Sequence, residues 1–204
     1  GVTQEIVELE LNKSGKKPNI AILNGISVDS TPFTPAAVFE GKTLKLLFIA
    51  SGESSWHGLD KVVESIKNYR GETNIELHIV GGFDVLKYQG VEIISYGFLD
   101  GEKLDDVFSK IHIGISSLGI DRLGLKSASV LKSREYMSRG VPFVYGYDDD
   151  DFEDSELVLR LFDIDIEEII KYAKKIDLKH QQKMRDFAKN RLDWRIKIEK
   201  LKSF

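Results

Sequence analysis

Lys45-Leu46-Leu47-Phe48-Ile49-Ala50, then Gly58 to Tyr69, then Ile75 to Val80 closed by Gly81-Gly82, is the stretch that decides the fold. The outer pieces are short apolar runs, the mark of strands buried on both faces. The middle piece sets Leu59, Val62, Val63, Ile66 and Tyr69 at helical spacing and leaves Lys61, Glu64 and Lys67 on the other side. Strand, amphipathic helix and strand with short connections make a βαβ unit, which pairs its strands in parallel. The alternation continues through a strand over Val91–Ser95, a helix over Glu102–Ser109 and a strand over Ile111–Ile115. A helix over Ser127–Ser138, stopped by Gly140, precedes a strand over Pro142–Tyr145. Two helices, Ile166–Ile176 and about Gln182–Lys202, are expected to close the chain. The expected fold class is α/β, Rossmann-like, three layers α/β/α around a mostly parallel sheet. Ligands of such sheets lie beyond the carboxyl ends of the strands, where strand order reverses. The loops that matter are therefore Ser51–His57, Gly81–Phe83, Tyr96–Gly101, Ser116–Lys126 and Gly146–Asp154.

Composition narrows the chemistry. Lys plus Arg is 29 against 33 for Asp plus Glu, a net charge of −4 over 204 residues. A general nucleic-acid binder draws its affinity from a basic surface, so none is expected here. The absence of cysteine excludes a disulfide scaffold, a thiolate zinc site and a cysteine nucleophile. The longest apolar run, Leu46 to Ala50, is far shorter than a membrane-spanning helix needs, and no signal peptide is expected before it. The expected location is cytoplasmic. The opening Gly1-Val2-Thr3, without Met, reads as a cleavage scar, so the chain is expected to be a piece of a longer protein.

Several tempting motifs fail on spacing. Gly41-Lys42-Thr43 precedes a strand instead of following one, and the first glycine of a P-loop would fall at Ala36. Ser116 and Gly119 are one residue too far apart for a nucleophile elbow. The acidic run Asp148–Asp151, with Glu153, Asp154 and Glu156, puts Glu153 where an EF-hand loop needs glycine, and it is expected to be a solvated loop with no metal. His78 and His112 fall in or at strands and are expected to be structural, whereas His180 is expected to face solvent.

The informative segment is Ser127-Ala128-Ser129-Val130-Leu131-Lys132-Ser133-Arg134-Glu135. Glu135 shares a helical stripe with Ala128 and Leu131, and an inward acid needs a partner. An i,i+4 salt bridge with Arg139 explains it equally well. The expected helix start at Ser127, Ser129 and Val130 offers free amides and about half a positive charge, with Ser127 as cap. Lys132 adds a full charge if it points back toward that end. Phosphate at the amides and a ribose on Glu135 would suit a nucleotide.

Asn24-Gly25-Ile26, Leu47 to Gly52, Trp56 to Asp60, Leu77 to Gly82, Tyr96 to Leu99 and Glu135 to Pro142 recur in an order that resembles the C-terminal, donor-binding half of a GT-B glycosyltransferase of group 1, family 4. The resemblance implies a residual interdomain segment over 1–17 and a nucleotide-sugar-binding Rossmann-like domain over 18–204. It implies a retaining hexosyltransferase of polysaccharide or glycoconjugate synthesis, with no metal and no cofactor besides the nucleotide-sugar donor. The glycan or lipid-linked acceptor would sit on an absent N-terminal domain, so the piece alone is expected to be inactive. The full-length enzyme could lie at the inner membrane face. By the same resemblance Glu135 holds the ribose, Lys132 a phosphate, Gly97 and Phe98 the base, and Gly52 with Glu53 the diphosphate.

This sequence departs from the family pattern at several of those positions. The first acid of the family's E-x7-E motif falls at Ser127, the usual Arg after the first strand is missing, and the Lys of the Lys-Gly pair is His57. Lys132, Lys126 and Arg122 would then carry the phosphate charge, and the loop Leu118–Lys126 is longer than usual. His57 is either the first residue of a helix or a ligand contact. Trp56 is expected to pack beneath its loop, and Trp194 with Ile198 and Leu201 to form a core or interdomain stripe. Two rival readings follow: a degenerate half kept as a binding or scaffold module, and a sugar-nucleotide epimerase of the same fold.

Overall fold

A computed structural model describes residues 3–14 and 21–202. Gly1, Val2 and the expected boundary at 17/18 lie outside the described residues. Within them, six parallel strands pair in the order β3-β2-β1-β4-β5-β6. These are β1 Thr43–Ile49, β2 Asn74–Val80, β3 Glu92–Ser95, β4 Ile113–Ile115, β5 Phe143–Tyr145 and β6 Leu159–Arg160. The order reverses between β1 and β4, where Leu46 pairs with Ile113 on one side and Leu77 on the other. The expected Rossmann-like parallel sheet is therefore present.

Alternation along β1 divides the core in two. Leu44, Leu46 and Phe48 face a layer built by α2 (Leu59–Asn68) and α5 (Ile166–Ala173), meeting Val62, Val63, Ile169 and Ile170. Leu47 faces the opposite layer, with Phe108 of α3 (Gly101–Lys110), Tyr136 and Met137 of α4 (Leu131–Arg139), and Met184 of α6 (Leu178–Phe187). All four β1 side chains are fully buried, which explains the continuous apolar run. Gly81 binds the ends of β1 and β2 closely: its φ is +128°, and a Cβ there would stand 1.7 Å from the Ala50 carbonyl oxygen.

Within the segment 1–17 lies a helix, α1 (Gln4–Ser14), whose Val7 is buried. Three expectations are corrected. The last helix is not continuous. After α6 the chain widens into a π-helical turn at Ala188–Leu192, Asp193 turns extended, and α7 (Trp194–Lys202) starts anew. Asp193 makes that break worthwhile, since its carboxylate accepts from the Val28 and Arg195 amides. His180 is half-buried, with Nε2 2.9 Å from the Leu157 carbonyl oxygen, because β6 brings Leu157 over α6. The acidic run is not simply solvated: Asp149 and Asp151 are buried because Arg134 lies between them and Lys197 meets Asp151 from α7.

Candidate functional site

A cleft of about 610 Å³ opens at the reversal of strand order. Its floor is the end of β1 (Ile49, Ala50, Ser51), one wall is the segment Ala128–Lys132 with Glu135, and the other wall includes Trp56, His57, Ile120, Leu123 and Leu125. Asn24 and Ile6 of α1 close the rim. This is where a doubly wound sheet places its ligand.

The helix that lines it starts later than expected. Residues 127–130 are extended and α4 begins at Leu131, so Val130 stands at the cap position and Ser127 caps nothing. Neighbouring chain explains the difference. Ser127 pairs with Asp148 as an isolated parallel bridge, and its amide and hydroxyl both donate to Glu5. Ser129 Oγ accepts the Asn24 amide at 2.6 Å, and the Asn24 side-chain amide donates to the Ser129 carbonyl. The free amides of α4 therefore begin at Leu131, still inside the cleft.

Glu135 makes the i,i+4 pair with Arg139 and also faces the cleft. Its carboxylate accepts from Arg139 Nε at 2.9 Å, and Arg139 is held in turn by Asp105 at 2.6 Å, yet Glu135 also lines the cleft and stays about one-third exposed. Lys132 turns inward. Its Nζ lies 3.4 Å from the Ile49 carbonyl oxygen and 4.7 Å from the centre of the Phe48 ring. The residue keeps some exposure along its stem, but burial of the ammonium pushes its pKa down to about 7. His57 ends a short 3-10 turn, is 7% exposed, and leaves Nδ1 buried with no hydrogen-bond partner. Burial first, then Lys132, holds its pKa at about 4, so the ring is neutral near pH 7. Trp56 packs on it, ring centres 3.7 Å apart, and serves the core and the cleft wall at once.

Of the expected site residues, His57, Ser129, Val130, Lys132 and Glu135 meet in the cleft, while Ser127, Gly52, Glu53, Gly97 and Phe98 are not among its lining residues. Glu53 is engaged elsewhere: it accepts from Lys87 Nζ and the Asp84 amide, both at 2.7 Å, joining the loops after β1 and β2. Gly97 has φ +64° and its carbonyl accepts the Gly81 amide. Phe98 is 73% exposed and lies over Gly82, an open aromatic face farther along the sheet edge. Arg122 is engaged within the chain. Its guanidinium makes a two-pronged pair with Asp60 at 2.8 and 2.6 Å and a third bond to the Ser55 carbonyl, so it fastens the long loop to α2. Lys126 is exposed beside Glu5. Among the described residues no group of three or more His, Asp or Glu is placed to hold a metal ion, and no helix is long and apolar enough to cross a membrane.

Sequence reasoning gave no role to Asn24, Ser51, Ile6 or Glu5. Asn24 and Glu5 reach their partners across 105 and more than 120 residues, and no local spacing signals such contacts.

No protein-family model and no curated protein matches the chain. Solved structures do. The lipopolysaccharide outer core galactosyltransferase WaaB, in its apo form, matches 95% of this chain and 57% of its own, with TM-score 0.62 and 14% identity. HepE of Anabaena, in complex with UDP-glucose, matches 100% of this chain and 63% of its own, with TM-score 0.65 and 11% identity. TarM matches 99% of this chain and 42% of its own, with TM-score 0.64 and 13% identity. At such identities the likeness is one of fold: this chain has the α/β Rossmann-like fold seen in GT-B glycosyltransferases. It spans about three-fifths or less of the length of these proteins.

Proposed function

We propose that the chain is the nucleotide-sugar-binding half of a retaining glycosyltransferase of polysaccharide or glycoconjugate synthesis. One observation carries this reading: the start of α4, Lys132 and Glu135 converge on a single cleft at the reversal of strand order. Free amides at Leu131 and Lys132 suit a diphosphate, and the partly exposed carboxylate of Glu135 one turn on suits ribose hydroxyls. The partnerless Nδ1 of His57 gives a polar ligand something to satisfy. Bound this way, the leaving diphosphate is stabilised by fixed dipoles and the Lys132 cation, and catalysis is largely positioning and charge stabilisation. In this reading neither a metal nor a further cofactor takes part. The glycan or lipid-linked acceptor is held by a preceding part of a longer protein working at the cytoplasmic side of a membrane, so these 204 residues bind donor without turnover. The neighbours' bound ligand makes uridine diphosphate sugars the first to try.

The test is thermal unfolding with UDP, GDP and ADP and their hexose conjugates, for wild type and Glu135→Ala. Ligand at 100 times its dissociation constant stabilises by about 2.7 kcal/mol, on the order of 5–10 °C for a domain of this size. The expected result is a shift with one base that disappears in the variant. A second reading, a scaffold module that has lost donor affinity, is favoured by the internal engagement of Arg122 and Glu53 and by the apolar wall of Ile120, Leu123 and Leu125. It predicts no shift with any nucleotide.

A further inference from the structure

We infer that the outer face of α6, with the turns at either end of it, docks on an anionic lipid bilayer. This surface shares no residue with the cleft, so it gives a membrane a place on this chain whether or not a nucleotide binds. Charge is unevenly spread along the sequence. Residues 1–170 hold 17 Lys and Arg against 29 Asp and Glu, whereas residues 171–204 hold 12 against 4. Five cations of that basic end are engaged within the fold. Lys171 pairs with Glu168, Arg191 and Lys197 with Asp151, and Arg195 with Asp29 and Asp193. Arg185 donates to the Ser138 and Val28 carbonyls. By contrast, Lys174, Lys175, Lys179, Lys183 and Lys189 are exposed and join no ion pair among the described residues.

The fold gathers these five lysines on one side. Met184 is buried, the Gln181 side-chain amide donates to the Ala36 carbonyl at 3.0 Å, and Arg185 reaches the Ser138 carbonyl at 2.6 Å. Those anchors turn Leu178, Lys179, Gln182 and Lys183 outward, with the two lysines one turn apart. Lys174 and Lys175 occupy the turn before the helix, and Lys189 lies in the π-helical turn after it. Two acids share this side and are occupied: Asp177 accepts the His180 amide at 2.7 Å, and Asp186 accepts from Gln182 at 3.2 Å. An excess of positive charge remains. Its chemistry suits lipid headgroups better than nucleic acid. Lysine ammoniums are point charges on flexible stems, and between Lys174 and Lys183 there is no exposed arginine to grip a phosphate by two prongs and no exposed ring to stack on a base. Leu178, 59% exposed, stands among the lysines, where an interfacial helix carries an apolar side chain. The acidic remainder of the chain is repelled by an anionic surface, which turns this face toward it.

The experiment is co-sedimentation of the full 204-residue chain with two kinds of vesicle at low ionic strength, pure phosphatidylcholine and phosphatidylcholine with a third of phosphatidylglycerol. The expected result is binding to the anionic vesicles alone, weakening as salt is added. Each lysine near the surface contributes about fivefold, so the triple variant Lys175→Gln, Lys179→Gln, Lys183→Gln should lose about a hundredfold. The control variant Lys42→Gln, Lys67→Gln, Lys103→Gln makes the same change in net charge on exposed lysines elsewhere and should bind within about threefold of wild type. UDP affinity, read on the same proteins, should move in neither variant. A chain that binds anionic vesicles but no nucleotide keeps this inference and loses the donor-site reading. A wild type that ignores anionic vesicles overturns the inference, as does an equal loss in both triple variants, which would mean that overall charge alone is at work. Polyuridylate that binds as tightly as the vesicles, and is released by the α6 variant, makes this a nucleic-acid face and overturns it too.

Discussion

The Lys132 ammonium lies 4.7 Å above the centre of the Phe48 ring, a cation on an aromatic face at the floor of the cleft. Among the described residues it joins no ion pair, and burial is the whole cause of its lowered pKa of about 7. Beside it in the cleft lie the neutral ring of His57 and the carboxylate of Glu135, which Arg139 already holds. In the donor-site reading proposed above, this cation meets the diphosphate.

Nucleoside diphosphate affinity should therefore depend on pH. The bound anion favours the charged amine, so binding takes up a proton wherever the free protein has lost it. Affinity should fall by more than about tenfold between about pH 6.5 and pH 8.5, as the free protein passes its Lys132 pKa. Calorimetry in buffers of different ionisation enthalpy reads the proton uptake directly. Lys132→Arg should remove both the slope and the uptake, and a wild type with a level profile would refute the assignment.

His112 sets a different pH dependence, one of stability. Its Nδ1 accepts the Lys45 amide at 2.9 Å while its own amide donates to the Lys45 carbonyl, so the neutral ring completes the seam between β1 and β4. Burial, then Lys45, holds its pKa at about 4, against an ordinary 6.5. The unfolded chain thus binds more protons between those values, and stability is lost as pH falls from about 6.5 toward 4. Asn at this position keeps an acceptor near the Lys45 amide without titrating. His112→Asn should flatten the acid limb of the urea stability profile by on the order of 1–2 kcal/mol. His57, its pKa likewise about 4, and His78, lowered chiefly by burial, contribute the slope that remains.

The sheet was legible because its strands are buried on both faces, which writes a continuous apolar run such as Leu46 to Ile49 into the chain. Helix α2 was legible for the complementary reason, a clean division between apolar and charged sides. The site was legible only where one element carries it: Lys132 and Glu135 lie four residues or fewer apart on α4. What escaped depends on contacts between distant segments. The start of α4 moved to Leu131 because Asn24, Glu5 and Asp148 hold residues 127–129 extended, and none of these is near in sequence. Arg122 read as a free cation until Asp60, 62 residues away, was found across it.

That pairing gives a prediction that separates fold from function. Arg122 fastens the loop Ile120–Leu123 to α2 through Asp60 and to the preceding turn through the Ser55 carbonyl. The pair is partly exposed, so its loss should cost about 0.5–1 kcal/mol in urea unfolding. Arg122→Ala should leave nucleoside diphosphate affinity within about twofold of wild type, since the guanidinium is already engaged. A tenfold loss of affinity at unchanged stability would mean that the side chain releases Asp60 and turns to the phosphates.

The charge cluster behind the cleft should be far more sensitive. Arg134 is fully buried in α4, bonded to Asp149 on both prongs and to Asp151 at 2.9 Å, while Lys197 of α7 reaches Asp151 at 2.5 and 2.7 Å. Its Nε also donates to the Asn24 carbonyl, so the guanidinium braces the segment that holds Ser129. Removing one partner of a buried pair leaves the other charge uncompensated, at about 3–5 kcal/mol. Arg134→Met should therefore destabilise the fold by that order in urea unfolding. Adding Asp149→Asn should recover part of the loss, because the stranded carboxylate is then neutral. If the double variant is as unstable as the sum of the two single ones, packing against Phe152, whose ring centre lies 5.0 Å from the guanidinium carbon, outweighs the ion pair as the reason this arginine is buried.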